Sequence, residues 1–220
     1  GATVNSLLMR AKQESGDGDF AKATSYYNKV LDADPVNFEA WLGLFFVTQN
    51  TTEERGLLFK KESLNAAQFY ESEKENERLL STMKGKYFTN AKKYADSEQL
   101  KRIQAAEERS KKENEQIKTA MALNLQAGAE KRIAQSDFGT ATPMLDAALT
   151  VFPEKAELWW DKFLAEVRAR SAEELLSNMN AEKYELFYTS KNSGNAVIYA
   201  SGAFEEKLKE FCIKADEFAE

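Results

Sequence analysis

Apolar positions recur at helical spacing along most of the chain. Residues 6–35 read SLLMRAKQESGDGDFAKATSYYNKVLDADP. Leu7, Leu8 and Ala11 make one stripe, and Phe20, Ala23, Tyr26, Tyr27, Val30 and Leu31 make a second, each at the spacing of a buried helical face. Gly16-Asp17-Gly18-Asp19 separates them, and its glycines permit a tight reversal. Pro35 ends the second helix. A third follows with Trp41, Leu44 and Phe45 on one face, and Thr51 with Glu54 has capping-box spacing, which predicts a fourth helix opening there.

The same pattern returns 118 residues later. Leu7, Ala11, Phe20, Ala23, Leu31, Pro35, Trp41 and Phe45 correspond to Leu125, Ala129, Phe138, Ala141, Leu149, Pro153, Trp159 and Phe163. Eight matches at one offset point to a duplicated unit. Pro143 falls early in the second copy's second helix and predicts a late start or a kink there. A second echo pairs Asn90-Ala91-Lys92-Lys93-Tyr94-Ala95 with Asn195-Ala196-Val197-Ile198-Tyr199-Ala200. An amphipathic helix follows each, carrying Leu100, Ile103 and Ala106 in one case and Phe204, Leu208, Phe211 and Cys212 in the other. The reading is of two tandem modules, residues 3–118 and 119–220. Residues 97–135 contain no proline and predict either one long helix or two parting near 118–122. The charged run 107–118 is expected to be solvated, and 189–195 (TSKNSGN) to be a loop.

The hairpin resembles the tetratricopeptide repeat (TPR) family. Ala11 takes the small position of the first helix, Gly18-Asp19-Phe20 the turn, and Ala23, Tyr27 and Pro35 the family's alanine, aromatic and proline positions. Trp41 and Leu44 begin the next repeat at the right spacing, while Arg10 and Phe45 depart from the family's leucine and glycine. The module also resembles bacterial proteins, mainly from Firmicutes, that place a zinc ribbon before TPR-like helices with an NAxxYA segment; the ribbon's cysteines are absent here. The resemblance implies an all-α fold of TPR-like hairpins, of the α-α superhelix type, and a role as a protein-interaction module or scaffold. Its first helices line a concave groove for a peptide. By position the groove residues are Leu8, Met9, Lys12, Leu42 and Phe46 in the first module, and Gln126, Glu130, Trp160 and Leu164 in the second. Only Lys12 suits the carboxylate-clamping chemistry of chaperone-binding TPR domains, so the expected ligand is an apolar or helical protein segment. The alternative is that the extra helices fold back and fill the groove, leaving a structural spacer or a self-associating domain. An open groove requires Leu42, Phe46, Trp160 or Leu164 to be exposed.

Composition narrows the chemistry. The 220 residues include no histidine and one cysteine, which removes imidazole general bases, Cys/His zinc sites and an intrachain disulfide. No catalytic residue, cofactor or metal is therefore expected. Gly16-Asp17-Gly18-Asp19-Phe20-Ala21 matches a dinucleotide fingerprint only formally, because a helix precedes it rather than a strand. Counted from Asp17, the twelfth position of a calcium loop is Asn28, where glutamate is needed. The Glu-Glu pairs read as solvated helix faces, Cys212 as a core thiol, and Thr51 or Thr52 as a helix cap rather than part of a glycosylation signal. Residues 84–118 hold ten Lys/Arg against six Asp/Glu, interleaved with Tyr87, Phe88 and Tyr94. Their alternating signs favour a solvated face over nucleic-acid binding, as does the net charge of −6. No run is long enough to span a membrane. The chain starts at glycine and is read as a piece of a longer protein. An acidic chain without a disulfide is expected in the cytoplasm.

Overall fold

The computed structural model describes residues 3–57 and 65–220. It is all-α, with twelve α-helices and no strand among the described residues. They are α1 (Val4–Gly16), α2 (Phe20–Ala33), α3 (Phe38–Val47), α4 (Ala66–Ser81), α5 (Lys86–Tyr94), α6 (Ser97–Ala134), α7 (Phe138–Val151), α8 (Ala156–Glu166), α9 (Ala172–Ser177), α10 (Ala181–Thr189), α11 (Lys191–Tyr199) and α12 (Gly202–Asp216). Among the described residues, 3–57 and 71–117 form one compact unit and 65–70 and 118–220 another.

The hairpins arise from local backbone chemistry. Gly18 closes the α1–α2 turn at φ +84°, which glycine adopts without cost, and Asp19 then caps α2 by accepting from the Lys22 N–H at 3.0 Å. At the same place 118 residues on, Ser136 takes φ +62° and Asp137 caps α7 from the Thr140 N–H at 3.3 Å. The next turn repeats as well. The Trp41 indole N–H donates to the Pro35 carbonyl at 2.9 Å, and the Trp159 N–H to the Pro153 carbonyl at 2.8 Å. Proline cannot continue the helix, and the tryptophan gives the proline's own carbonyl a donor. α5 and α11 begin and end 105 residues apart, each closing on an alanine with extended backbone, Ala95 and Ala200.

In the first unit, α1, α2 and α3 bury Leu7, Ala11, Ala23, Tyr27, Val30, Ala40, Leu44 and Val47 together. The other side of α3 gives Phe38, Leu42, Phe45 and Phe46 to a second cluster with Leu57, Leu79, Phe88, Ala91 and Ile103. α3 is thus apolar nearly all round because helices cover it on two sides. In the second unit, Trp160 and Phe163 of α8 meet the rings of Phe187 and Phe211, with Trp160–Phe211 centroids 5.0 Å apart.

Four local expectations are revised or resolved. No helix opens at Thr51: residues 51–57 form turns, in which the Thr51 hydroxyl donates to the Gly56 carbonyl and Thr52 accepts from the Arg55 N–H. α7 starts at Phe138 and contains Pro143, so the late start does not occur. Residues 189–195 are not a loop, because Ser190 caps α11 immediately after α10 ends. Residues 97–134 form one helix, α6.

The two copies pack one shared position differently. A Cβ at Gly43 would overlap the tip of the Tyr27 ring; the corresponding pair in the second copy is Asp161 with Leu145. Gly43→Ala should therefore destabilise the protein by about 2 kcal/mol through overpacking, and adding Tyr27→Leu should recover part of the loss. Urea unfolding of the two variants checks this, and equal midpoints for wild type and Gly43→Ala would contradict it.

Candidate functional site

In each unit a concave feature is lined in part by the third helix and by a later helix. In the first unit a cavity of about 340 Å³ is walled by α1 (Lys12, Ser15), α2 (Tyr27), α3 (Glu39, Leu42, Gly43, Phe46), residues 52–54 and Arg102 of α6. Arg102 organises it. The guanidinium donates to both oxygens of Glu53, each at 2.8 Å, and to both of Glu39, at 2.5 and 3.1 Å. This fork-on-fork geometry is the strongest form of ion pair available to arginine. Lys12 reaches Glu39 at 3.1 Å. Burial alone would raise the Glu39 carboxyl, but Arg102 and Lys12 outweigh it and hold the group below its ordinary value of 4.5. Tyr27 moves the other way: burial, aided by Glu39, Glu54 and Glu53, pushes its phenol up to about 12.

In the second unit a groove of about 390 Å³ runs between α8, α9 and α12. Its floor is Trp160, Leu176, Phe204, Leu208 and Phe211, and Glu173, Lys207, Glu210 and Lys214 edge it. Leu176 and Phe204 are half-buried, so apolar surface remains open to solvent. The two features are related by position: Leu42, Glu54 and Arg102 of the cavity correspond to Trp160, Ala172 and Lys207 of the groove.

The expected partner-binding residues fare unequally. Leu42, Phe46, Trp160 and Leu164 are all buried, at 3, 5, 7 and 6 % exposure. They do not form an open apolar groove, because α5 and α6 cover α3, and the aromatics of α10 and α12 cover α8. This corrects the expectation for those four side chains. Leu8 is half-buried against the α1–α3 core. Met9 is 72 % exposed, Gln126 accepts from the Lys155 ammonium at 2.6 Å, and Glu130 lies at the surface. Lys12, Leu42 and Phe46 do share the wall of one cavity, and Trp160 lies in the groove floor. Sequence reasoning missed Tyr27, Glu39, Glu53 and Arg102, whose grouping is tertiary: Arg102 reaches Glu53 across 49 residues of chain and Glu39 across 63. Leu176 and Phe204 were missed likewise, although pairing the two closing helices at the 105-residue offset aligns Lys207 with Arg102.

Elsewhere in the second unit, burial pushes Asp161 up to about 8, helped by the neighbouring carboxylates Glu130 and Glu157 and opposed by Lys155. Its Oδ2 has no hydrogen-bond partner. Cys212 is partly buried and its thiol is raised, first by burial and then by Asp216. Among the basic residues of 84–118, Lys92 pairs with Glu107 at 2.7 Å and Lys101 with Glu98 at 3.2 Å. Among the described residues no group of three or more acidic or cysteine side chains could hold a metal ion, and no helix is long and apolar enough to cross a membrane. Compared with protein-family models and with curated proteins, the chain finds no match in either.

The two carboxyls give opposite pH signatures. Asp161 binds its proton more tightly folded than unfolded, so its ionisation costs stability progressively as pH rises from about 4 to about 8. Glu39 is depressed, so its contribution is present above 4.5 and is lost as pH falls through the lower folded value. Asp161→Asn should flatten the decline between pH 4 and 8, gain on the order of 2 kcal/mol at pH 8, and leave the acid limb in place. Denaturant unfolding across that range checks it; an unchanged slope between pH 4 and 8 would contradict it.

Proposed function

We propose that the chain is a non-catalytic protein-interaction scaffold of the TPR-like kind, made of two related helical modules, and that it holds an apolar partner segment in the groove of the second unit. The observation that carries this reading is the groove itself: an aromatic and aliphatic floor that includes Trp160, Phe204 and Phe211, edged by charges of both signs. Buried aromatic anchors supply most of the affinity at such surfaces, and rim charges set orientation. The sequence resemblance and the recurrence of the capped turns 118 residues apart support the modular part of the reading. A cytoplasmic setting goes with it, on the composition. The apolar surface for the partner differs from the one the family would use, because Leu42, Phe46 and Leu164 are consumed in the chain's own packing.

The test is site-specific cross-linking in the full chain. A photoreactive residue at Leu176 or Phe204 should capture one defined protein, and the same residue at Met9, outside the groove, should not. Phe204→Asp should weaken that partner's binding by tenfold or more, about 1.4 kcal/mol. Equal capture from Met9, or full affinity in Phe204→Asp, would overturn the reading.

One observation favours self-association as a second reading. Tyr184 packs edge-on against Tyr188 and tilted against Phe218 at the surface, with Tyr188 54 % and Phe218 47 % exposed, and both tyrosine hydroxyls donate to Asp216. Sedimentation should then show a concentration-dependent dimer that Phe218→Asp abolishes. A monomer at every concentration would refute it.

A further inference from the structure

We propose that the cavity of the first unit is a binding site for an alkylammonium group, the chemistry shared by a lysine side chain and a small free diamine. Two independent observations point there. The first is Tyr27. It is 4 % exposed and lines the cavity with its ring tip against Gly43, yet its hydroxyl makes no hydrogen bond to any described residue. A buried phenol ordinarily finds a partner, and this one faces open volume. The second is charge. Lys12 and Arg102 stand against Glu39, Glu53 and Glu54, which leaves one negative charge uncompensated. Arg102 is committed to Glu39 and Glu53, and Lys12 to Glu39. Among the described residues Glu54 forms no ion pair, and its charge is near enough to act on the Tyr27 phenol.

These features select the ligand. An anion entering the cavity would meet three carboxylates while both cations are engaged. An ammonium has three donors, for which the Glu54 carboxylate and the Tyr27 oxygen are free acceptors. Leu42 and Phe46 belong to the same wall but are only 3 and 5 % exposed, so the attached methylenes meet a small apolar area. The phenol remains neutral at physiological pH and can accept from the ammonium. A guanidinium ligand would compete with Arg102 for the bidentate positions of Glu39 and Glu53, which disfavours arginine. The site lies in a different unit from the partner groove, so failure of either proposal leaves the other standing.

The experiment is an NMR titration of the full-length isotope-labelled chain with three probes: 1,5-diaminopentane, a capped Gly-Lys-Gly peptide, and the diacid glutarate as the charge-reversed control. Either amine should saturate with shifts at Tyr27, Gly43 and Glu54, while glutarate should shift none of them. Tyr27→Phe and Glu54→Gln should each weaken amine binding roughly tenfold, as expected for loss of a hydrogen bond to a charged group. Tyr27→Phe keeps the packed ring and Glu54 is exposed, so a thermal melt separates lost binding from lost folding. Tighter binding of the diamine assigns the site to free amines, and tighter binding of the peptide assigns it to lysine side chains. No saturation by either amine up to roughly 20 mM, equal binding of glutarate, or unchanged affinity in both variants would overturn the proposal.

Discussion

The constraint on which this architecture rests is that the helix following each hairpin, α3 or α8, must be covered on more than one side. α3 carries Phe38, Ala40, Leu42, Leu44, Phe45, Phe46 and Val47, and all are buried. α1 and α2 can bury only the side bearing Ala40, Leu44 and Val47. Left uncovered, the side bearing Leu42, Phe45 and Phe46 would expose several large apolar side chains, each costing about 1.5–3 kcal/mol against burial. The chain meets this need internally, with Phe88 and Ala91 of α5 and Ile103 of α6. α8 is treated alike, with Trp160 and Phe163 under Phe187 and Phe211. The helices that follow each hairpin are therefore structural complements to it, and they decide which surface is left over for function.

What is left over differs between the units although it occupies related positions. Where the first unit has Leu42 and Arg102, the second has Trp160 and Lys207. Arg102 recruits Glu39 and Glu53 and turns its location into a polar cavity. Among the described residues Lys207 forms no ion pair, although Glu173 and Glu210 line the same groove; Phe204 and Phe211 make its location apolar. Gly43 admits the Tyr27 ring in one copy; the corresponding residues in the other are Asp161 and Leu145. A common backbone pattern with exchanged side chains thus yields one polar cavity and one apolar groove.

The hairpins were legible in the sequence because their determinants are local. The Gly18 turn, the Asp19 and Asp137 caps, and the pairing of Trp41 with Pro35 and Trp159 with Pro153 each involve residues within about one or two helical turns of one another. Burial of Leu42, Phe46, Trp160 and Leu164 was not legible, because it depends on later helices whose packing no local pattern encodes, such as those that bring Phe88 to α3 and Phe187 to α8. Thr51 and Glu54 mislead for a similar reason. Their spacing suits a cap, yet the hydroxyl of Thr51 closes a turn onto Gly56, and Glu53 is drawn to Arg102 across 49 residues. Residues 189–195 read as a loop by composition, but a single serine, Ser190, suffices to end one helix and cap the next.

The central claim is that each hairpin's inner apolar side chains are covered by the chain's own closing helices. Hydroxyl-radical footprinting of the full chain, read residue by residue by mass spectrometry and corrected for intrinsic reactivity, measures this directly. The account predicts that Leu42, Phe46, Trp160 and Leu164 are strongly protected, while Met9, Ile198 and Ile213, each more than half exposed, are labelled freely. Labelling of Leu42 and Phe46 at the level of Met9 would mean that the groove is open, and would contradict the account.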